Sequence, residues 1–221
     1  MIQKKLTRNN IVLLICLLLI IFFYTILSTQ RLLMRNIIFT ALILSGIYSL
    51  DFAQKTRRIL FVSGIITIVL VWLNYFFDND VLGFVGFMSF FCFNMFIAAF
   101  MVRHIARSQQ VTRTIIINSI NGYLLIGLLG AVLLAMTQLL QKVFFNINTG
   151  SINFAGQAAE GFHDYLYFSF VTLTTLGYGD ITPTSALAKS LTIIIAICGQ
   201  LYLTILIAML VGKYLSNSAK S

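Results

Sequence analysis

Six apolar windows constrain what this chain can fold into more than any other feature of its sequence. Each window is long enough to cross a hydrocarbon core of about 30 Å, which takes roughly 20 helical residues. The chain has 221 residues, of which 59% are hydrophobic and 10% charged, and its mean hydropathy is +0.96. This composition excludes a soluble domain and predicts an integral membrane protein. The windows are residues 10–27, 32–50, 59–77, 81–102, 115–140 and 190–211.

The basic residues, which give a net charge of +9, are distributed asymmetrically across the predicted membrane. If the N-terminus lies in the cytoplasm, the outer segments hold only Arg31, Arg35, Lys142 and Lys189. The cytoplasmic segments hold Lys4, Lys5, Arg8, Lys55, Arg57, Arg58, Arg103, Arg107, Arg113, Lys213 and Lys220. This positive-inside pattern predicts a multi-pass protein of the cell membrane, plasma or inner, with both termini in the cytoplasm. Nucleic acid is not expected as a partner, because it would need the charges on one face.

The stretch between the last two windows is the candidate functional element. It reads Thr174, Thr175, Leu176, Gly177, Tyr178, Gly179, Asp180. Gly177 and Gly179 can adopt positive φ without a Cβ penalty, so consecutive backbone carbonyls can point toward one axis. Four such strands around an axis would replace the hydration shell of an ion with rings of oxygen atoms, so the sequence predicts a tetramer. The apolar stretch 165–174 before it is too short to span and has the length of a re-entrant helix.

This stretch closely resembles the selectivity-filter signature of potassium channels, with Leu176 where that family more often has valine. The number and order of the apolar windows are similar to those of the six-helix, voltage-gated-type potassium channel superfamily. The resemblance implies an all-α membrane fold with a four-helix, sensor-like domain and its linker at 1–110. A pore domain would follow at 111–221, with outer helix, turret, pore helix, filter and inner helix. It also implies a homotetramer in a lipid bilayer that conducts K⁺ passively.

The resemblance further implies which residues form the filter. K⁺ would bind the backbone carbonyls of four of them, and no cofactor is expected besides these ions. The ion-binding residues would be Thr175, Leu176, Gly177 and Tyr178, with Gly179 completing the filter.

Four more residues are expected to support the filter. Tyr167 and Phe168 occupy the positions at which the family commonly has two tryptophans. The hydroxyl of Tyr167 is expected to reach Asp180, as an indole does in the family. Thr174 ends the predicted pore helix, whose negative dipole end favours a cation nearby.

The fourth window departs from the superfamily, because residues 81–102 contain no Arg or Lys. Voltage sensing needs charges that move through the field, at about 2.3 kcal/mol per charge per 100 mV. Arg103, His104 and Arg107 follow only at the cytoplasmic end and are interpreted as interfacial anchors. Little intrinsic voltage dependence is therefore expected.

Two polar features near the membrane surface are interpreted without a sensing role. Tyr48, Asp51 and Lys55 share one face of the second helix, as in the cluster through which such channels pass gating charges. With no charges to pass, Asp51 is interpreted as an interfacial residue that pairs with a nearby base. His163, in the turret, is interpreted as a solvated side chain, with an external pH sensor as the alternative.

The last window is expected to line the inner cavity. Gly199 matches the hinge position of the family, and close helix packing by a small residue is an equal alternative. Ile207 and Val211 are predicted to form a dewetted inner constriction. Only ten residues follow Val211, so any nucleotide or calcium regulation is expected to come from a partner subunit.

Two other functions are weighed. A potassium-uptake transporter subunit is disfavoured, because such proteins carry several degenerate pore loops and this chain has one complete motif. A non-conducting modulatory subunit stays open, and flux from this chain alone would separate it from a channel. An enzyme is not expected, because no cluster of Ser, His, Asp or Cys is placed for catalysis.

Overall fold

Helices make up most of the chain in the structure, a computed structural model that describes residues 2–22, 31–49, 53–108, 110–145, 150–154 and 161–218. The helices in these residues are α1 (Ile2–Phe22), α2 (Arg31–Ser49), α3 (Gln54–Phe77), α4 (Asp80–Arg107), α5 (Arg113–Phe145), α6 (Phe162–Leu173) and α7 (Ala186–Ser218). Two short strands are β1 (Ile152–Phe154) and β2 (Ile181–Pro183). The single proline of the sequence, Pro183, ends β2, so no helix is interrupted by proline.

Four of the described helices are long and apolar enough to cross a membrane: α3, α4, α5 and the Ala186–Lys213 part of α7. In α1 and α2 the apolar helical stretches are shorter, at Leu6–Phe22 and Leu33–Ser49. The two windows predicted there extend into residues outside the described part, so six spans stay a prediction. The coarser expectation of a helical, multi-pass membrane protein is supported. The predicted domain division after residue 110 falls between α4 and α5 and also stays a prediction.

Aromatic packing joins α2 and α4 to the start of α6. Phe39 of α2 stacks on Phe90 of α4 with ring centroids 4.1 Å apart. Phe162, the first residue of α6, packs edge-on against Phe39 at 5.4 Å and stacks on Phe87 at 5.8 Å. Buried rings of this size remove large apolar areas from solvent and fix the geometry of the contact. The N-terminus of α6 is therefore anchored in the helical bundle.

Polar contacts join α1 to α5 at the end where both helices begin. The hydroxyl groups of Thr7 and Thr114 lie 2.6 Å apart. The Asn121 amide donates to the backbone carbonyl of Asn10 at 2.9 Å, and both asparagines are fully buried. Interhelical hydrogen bonds of this kind are a common means of helix association in membrane proteins.

Helix α6 is held between α5 and α7 by small residues. The Ser169 hydroxyl of α6 donates to the carbonyl oxygen of Gly127 in α5 at 2.7 Å. A Cβ added at Gly130, one turn along α5, would collide with the same hydroxyl and lie 3.0 Å from Cδ1 of Ile195 in α7. Close approach of the three helices therefore depends on glycine at this crossing.

A two-stranded antiparallel sheet stands where the sequence analysis expected only helices and a turret. Strand β1 pairs with β2, with Asn153 opposite Thr182. The backbone amide of Thr184 also donates to the carbonyl of Ser151 at 2.9 Å. The chain leaving residues 174–180 is thus held by backbone hydrogen bonds to the segment that precedes α6.

Candidate functional site

The C-terminal end of α6 leads directly into the candidate filter, residues 174–180. The amide of Leu176 donates to the carbonyl of Val171 at 3.0 Å, and the amide of Thr175 donates to the carbonyl of Thr172 at 3.0 Å. This pair of bonds is the Schellman termination of a helix, which needs a left-handed residue just after the C-cap. Thr175 occupies that position with φ +60°. The end of α6 therefore determines the backbone conformation of Thr175, the first of the predicted ion-binding residues.

Left-handed residues alternate along the filter stretch. Thr175, Gly177 and Gly179 have φ values of +60°, +56° and +80°. The two glycines adopt the positive φ expected of them. The left-handed Thr175 was missed by the sequence analysis, because a β-branched residue pays about 1–2 kcal/mol there. Strain of this size persists only where the surrounding structure holds the residue in place.

The backbone amides and backbone carbonyls of this stretch differ in their hydrogen bonding. The amides of Thr175, Leu176 and Gly177 donate back to carbonyls of α6. Among the described residues, no hydrogen bond is accepted by the carbonyl oxygens of residues 175–178. All seven residues from 174 to 180 are exposed in the single chain. The carbonyl oxygens of residues 175–178 are therefore exposed and without a hydrogen-bond partner within the described part of the chain.

The predicted contact between Tyr167 and Asp180 is present. The Tyr167 hydroxyl donates to Oδ2 of Asp180 at 2.5 Å, and the amide of Ile181 donates to Oδ1 at 3.0 Å. The hydrogen bond from Tyr167 lowers the pKa of the Asp180 carboxyl below its usual value, and it raises the pKa of the Tyr167 hydroxyl to about 12. Phe168, the next residue of α6, is buried. A role of these residues in filter support stays a prediction.

We expect Tyr167→Phe to raise the acid limit of protein stability, which is the pH at which the protein unfolds on acidification. Asp180 contributes stability above its unfolded pKa of about 3.9, and this contribution is lost as pH falls through its lower pKa in the folded protein. Without the Tyr167 hydroxyl, the folded pKa returns toward the unfolded value, so Asp180 contributes less stability above that value and the protein unfolds at a higher pH as acid is added. Thermal unfolding of the purified protein from about pH 3 to pH 6 measures the difference. In an Asp180→Asn background, Tyr167→Phe should leave the acid limit unchanged; an unchanged limit in the native background would contradict the prediction.

Gly199 lies where α7 crosses the end of α6. It is buried, and a Cβ added there would collide with the carbonyl oxygen of Leu173 and lie 3.0 Å from Cδ1 of the same residue. This close approach is the packing role that the sequence analysis weighed equally with a hinge. The hinge role stays a prediction.

The C-terminal part of the chain matches a known protein family model. Residues 132–216 match a family model described as Ion channel. Two-pore potassium channel 4 of Arabidopsis thaliana is 40% identical over 86 residues, which are 38% of this chain and 30% of that relative. Two-pore potassium channel 3 of the same plant is 39% identical over 64 residues, or 26% of this chain and 15% of the relative. No solved structure matches the chain significantly.

These similarities support a potassium channel family. The matched segment includes the end of α5, the filter stretch and most of α7. The aligned part of the chain spans less than a third of the length of either relative. A six-helix, voltage-gated type is not tested by these matches and stays a prediction.

One contact of the candidate filter was missed by the sequence analysis. The Gln200 side chain of α7 donates from Nε2 to Oγ1 of Thr175 at 3.3 Å. No motif pointed to Gln200, although it directly follows Gly199, which the analysis did single out. The contact joins residues 25 positions apart and depends on how closely α7 crosses α6.

The remaining predicted residues lie apart from the filter. Ile207 and Val211 are exposed on α7, and their role as a constriction stays a prediction. Asp51 lies outside the described residues, so its pairing is not seen. His163 Nδ1 lies 3.9 Å from a carboxylate oxygen of Asp164.

Proposed function

We propose that the chain is one subunit of a homotetrameric, potassium-selective channel that conducts K⁺ passively across the cell membrane. The observation that carries the proposal is the row of carbonyl oxygens at residues 175–178, which accept no hydrogen bond from the described residues. Four copies around an axis would give rings of oxygens that replace the hydration shell of K⁺. The amides of Thr175, Leu176 and Gly177 already donate to carbonyls of α6, which favours an arrangement with the oxygens toward the axis.

The exposed apolar residues of α7 favour assembly of the subunits around that axis. Many of its apolar residues stay exposed in the single chain, and so does the polar filter stretch. Lipid can cover apolar side chains but gives no partners to backbone carbonyls. We place α7 around an inner cavity, with Ile207 and Val211 at its narrow end. The exposed apolar residues of α7 include Ile193, Ile194, Ile197, Leu201, Ile205, Ile207 and Val211.

Orientation and gating belong to the same proposal. The distribution of Lys and Arg favours cytoplasmic termini and a filter near the outer surface. The absence of Arg and Lys from residues 81–102 favours weak voltage dependence.

Ion flux through purified protein in liposomes tests the proposal. We expect K⁺ flux to exceed Na⁺ flux by more than about tenfold, a difference of about 1.4 kcal/mol. Gly177→Ala is expected to abolish this selectivity, because alanine at φ +56° costs about 1–2 kcal/mol in each subunit. The open probability measured in planar bilayers should depend only weakly on voltage.

Gly212→Ala is the matched control for Gly177→Ala. At either glycine an added Cβ has no atom within 4 Å, but only Gly177 has positive φ. Gly212→Ala should therefore keep selective flux. Absence of K⁺ flux from native protein that has assembled would overturn the channel proposal; flux restored by a second channel subunit would then indicate a modulatory role.

A further inference from the structure

Gln200 contacts the filter at its first left-handed residue, Thr175. The Thr175 hydroxyl donates its hydrogen to the carbonyl of Thr174 at 2.6 Å, so its oxygen can only accept from Gln200. This fixes the orientation of the carboxamide: Nε2 faces Thr175, and Oε1 is left to accept another partner. Among the described residues, no hydrogen bond to Oε1 of Gln200 occurs, and the side chain is exposed.

The position of Gln200 follows from the glycine before it. Without a Cβ, Gly199 lets the backbone of α7 approach the Leu173 carbonyl at the end of α6. Leu173 lies two residues before Thr175, so the same crossing brings the next residue of α7 within reach of the filter. The Gln200 bond is one of the contacts that hold Thr175 in its strained conformation.

We propose that Gln200 is a positioning residue for Thr175 and that its Oε1 forms a binding site for K⁺ or its water at the inner end of the filter. This inference rests on the proposed function, because the site is complete only when four subunits place four carboxamides around one axis. A hard cation that sheds water prefers oxygen ligands, and amide oxygens supply them without a fixed charge. The ring would stand directly before the Thr175 oxygens, where an ion arriving from the cavity begins to lose its hydration shell.

Substitutions of Gln200 test both parts in the purified channel. Gln200→Met keeps the length of the side chain but removes the donor and the amide oxygen. We expect it to lower the K⁺/Na⁺ permeability ratio about two- to tenfold, the range for one lost hydrogen bond. We also expect it to weaken block by Ba²⁺ applied from the inner side, because Ba²⁺ resembles K⁺ in size and seeks the same oxygens. Gln200→Glu keeps the shape and adds a carboxylate, so it should strengthen that block.

Thr204→Val is the matched control. Thr204 lies one turn further along α7 and is also exposed, so the variant removes a polar group near Gln200 without touching Thr175. It should leave the permeability ratio and the Ba²⁺ block unchanged. In a Thr175→Val background, Gln200→Met should lower the permeability ratio less than it does in the native background, because only the loss of the amide oxygen remains.

The outcomes separate this inference from the proposed function. If the native protein conducts selectively and Gln200→Met changes neither the permeability ratio nor the Ba²⁺ block, the inference is wrong and the channel proposal stands. If Gln200→Met does not assemble, Gln200→Glu decides, because unchanged Ba²⁺ block would overturn the site. A native protein without selective flux would contradict the proposed function itself.

Discussion

Gly199→Ala is expected to destabilise the protein by about 1–3 kcal/mol per subunit, the usual range for overpacking, and to reduce K⁺ selectivity. The added Cβ would collide with the carbonyl oxygen of Leu173, a backbone atom that cannot rotate away. Helix α7 must then move away from the end of α6, and Gln200 loses its contact with Thr175. Thermal unfolding of the purified protein measures the first effect, and the K⁺/Na⁺ flux ratio measures the second.

Gly86→Ala is the matched control for this experiment. Gly86 is also a buried helical glycine that faces a backbone, but its added Cβ would lie 3.7 Å from Leu70, an ordinary contact. Alanine is favoured over glycine in a helix by about 1 kcal/mol, so this variant should be neutral or more stable. If Gly199 acts only as a hinge, Gly199→Ala should keep the melting temperature and alter opening alone. That result would contradict the packing argument.

Local sequence patterns were sufficient to predict the helices and part of the filter. Apolar runs without proline predicted helix wherever the structure has α3, α4, α5 and α7, because such runs leave few other ways to satisfy the backbone. The positive φ of Gly177 and Gly179 followed from the conformational freedom of glycine. The Tyr167–Asp180 contact followed from a family resemblance at those positions, not from spacing alone.

The features that were missed depend on contacts between distant segments. Thr175 has no local preference for a left-handed conformation, and the Schellman end of α6 imposes it. Strands β1 and β2 have three residues each, which is too short for a periodic pattern, and their pairing joins segments on both sides of α6. The Gln200 contact needs the helix crossing at Gly199, which sequence spacing does not reveal.

The second large effect is expected where Tyr202 of α7 meets Gly122 of α5. The Tyr202 hydroxyl donates to the carbonyl of Ser119 at 2.7 Å. A Cβ added at Gly122 would collide with that hydroxyl and lie 3.3 Å from Cζ of the same ring. Gly122→Ala is therefore expected to destabilise the protein by about 1–3 kcal/mol per subunit. Thermal or denaturant unfolding of the purified protein measures this change.

Tyr202→Phe provides the control, because it removes only the atom with which the alanine methyl would collide. Alone, it should cost about 0.5–1.5 kcal/mol for the lost hydrogen bond. In the double variant the methyl group has room beside the Phe ring, so Gly122→Ala should cost less there than in the native background. A double-mutant cycle should give a coupling of about 0.5–3 kcal/mol, and strictly additive effects would contradict the contact. Gly199 and Tyr202 lie within two residues of Gln200, so both crossings constrain the part of α7 from which Gln200 contacts Thr175.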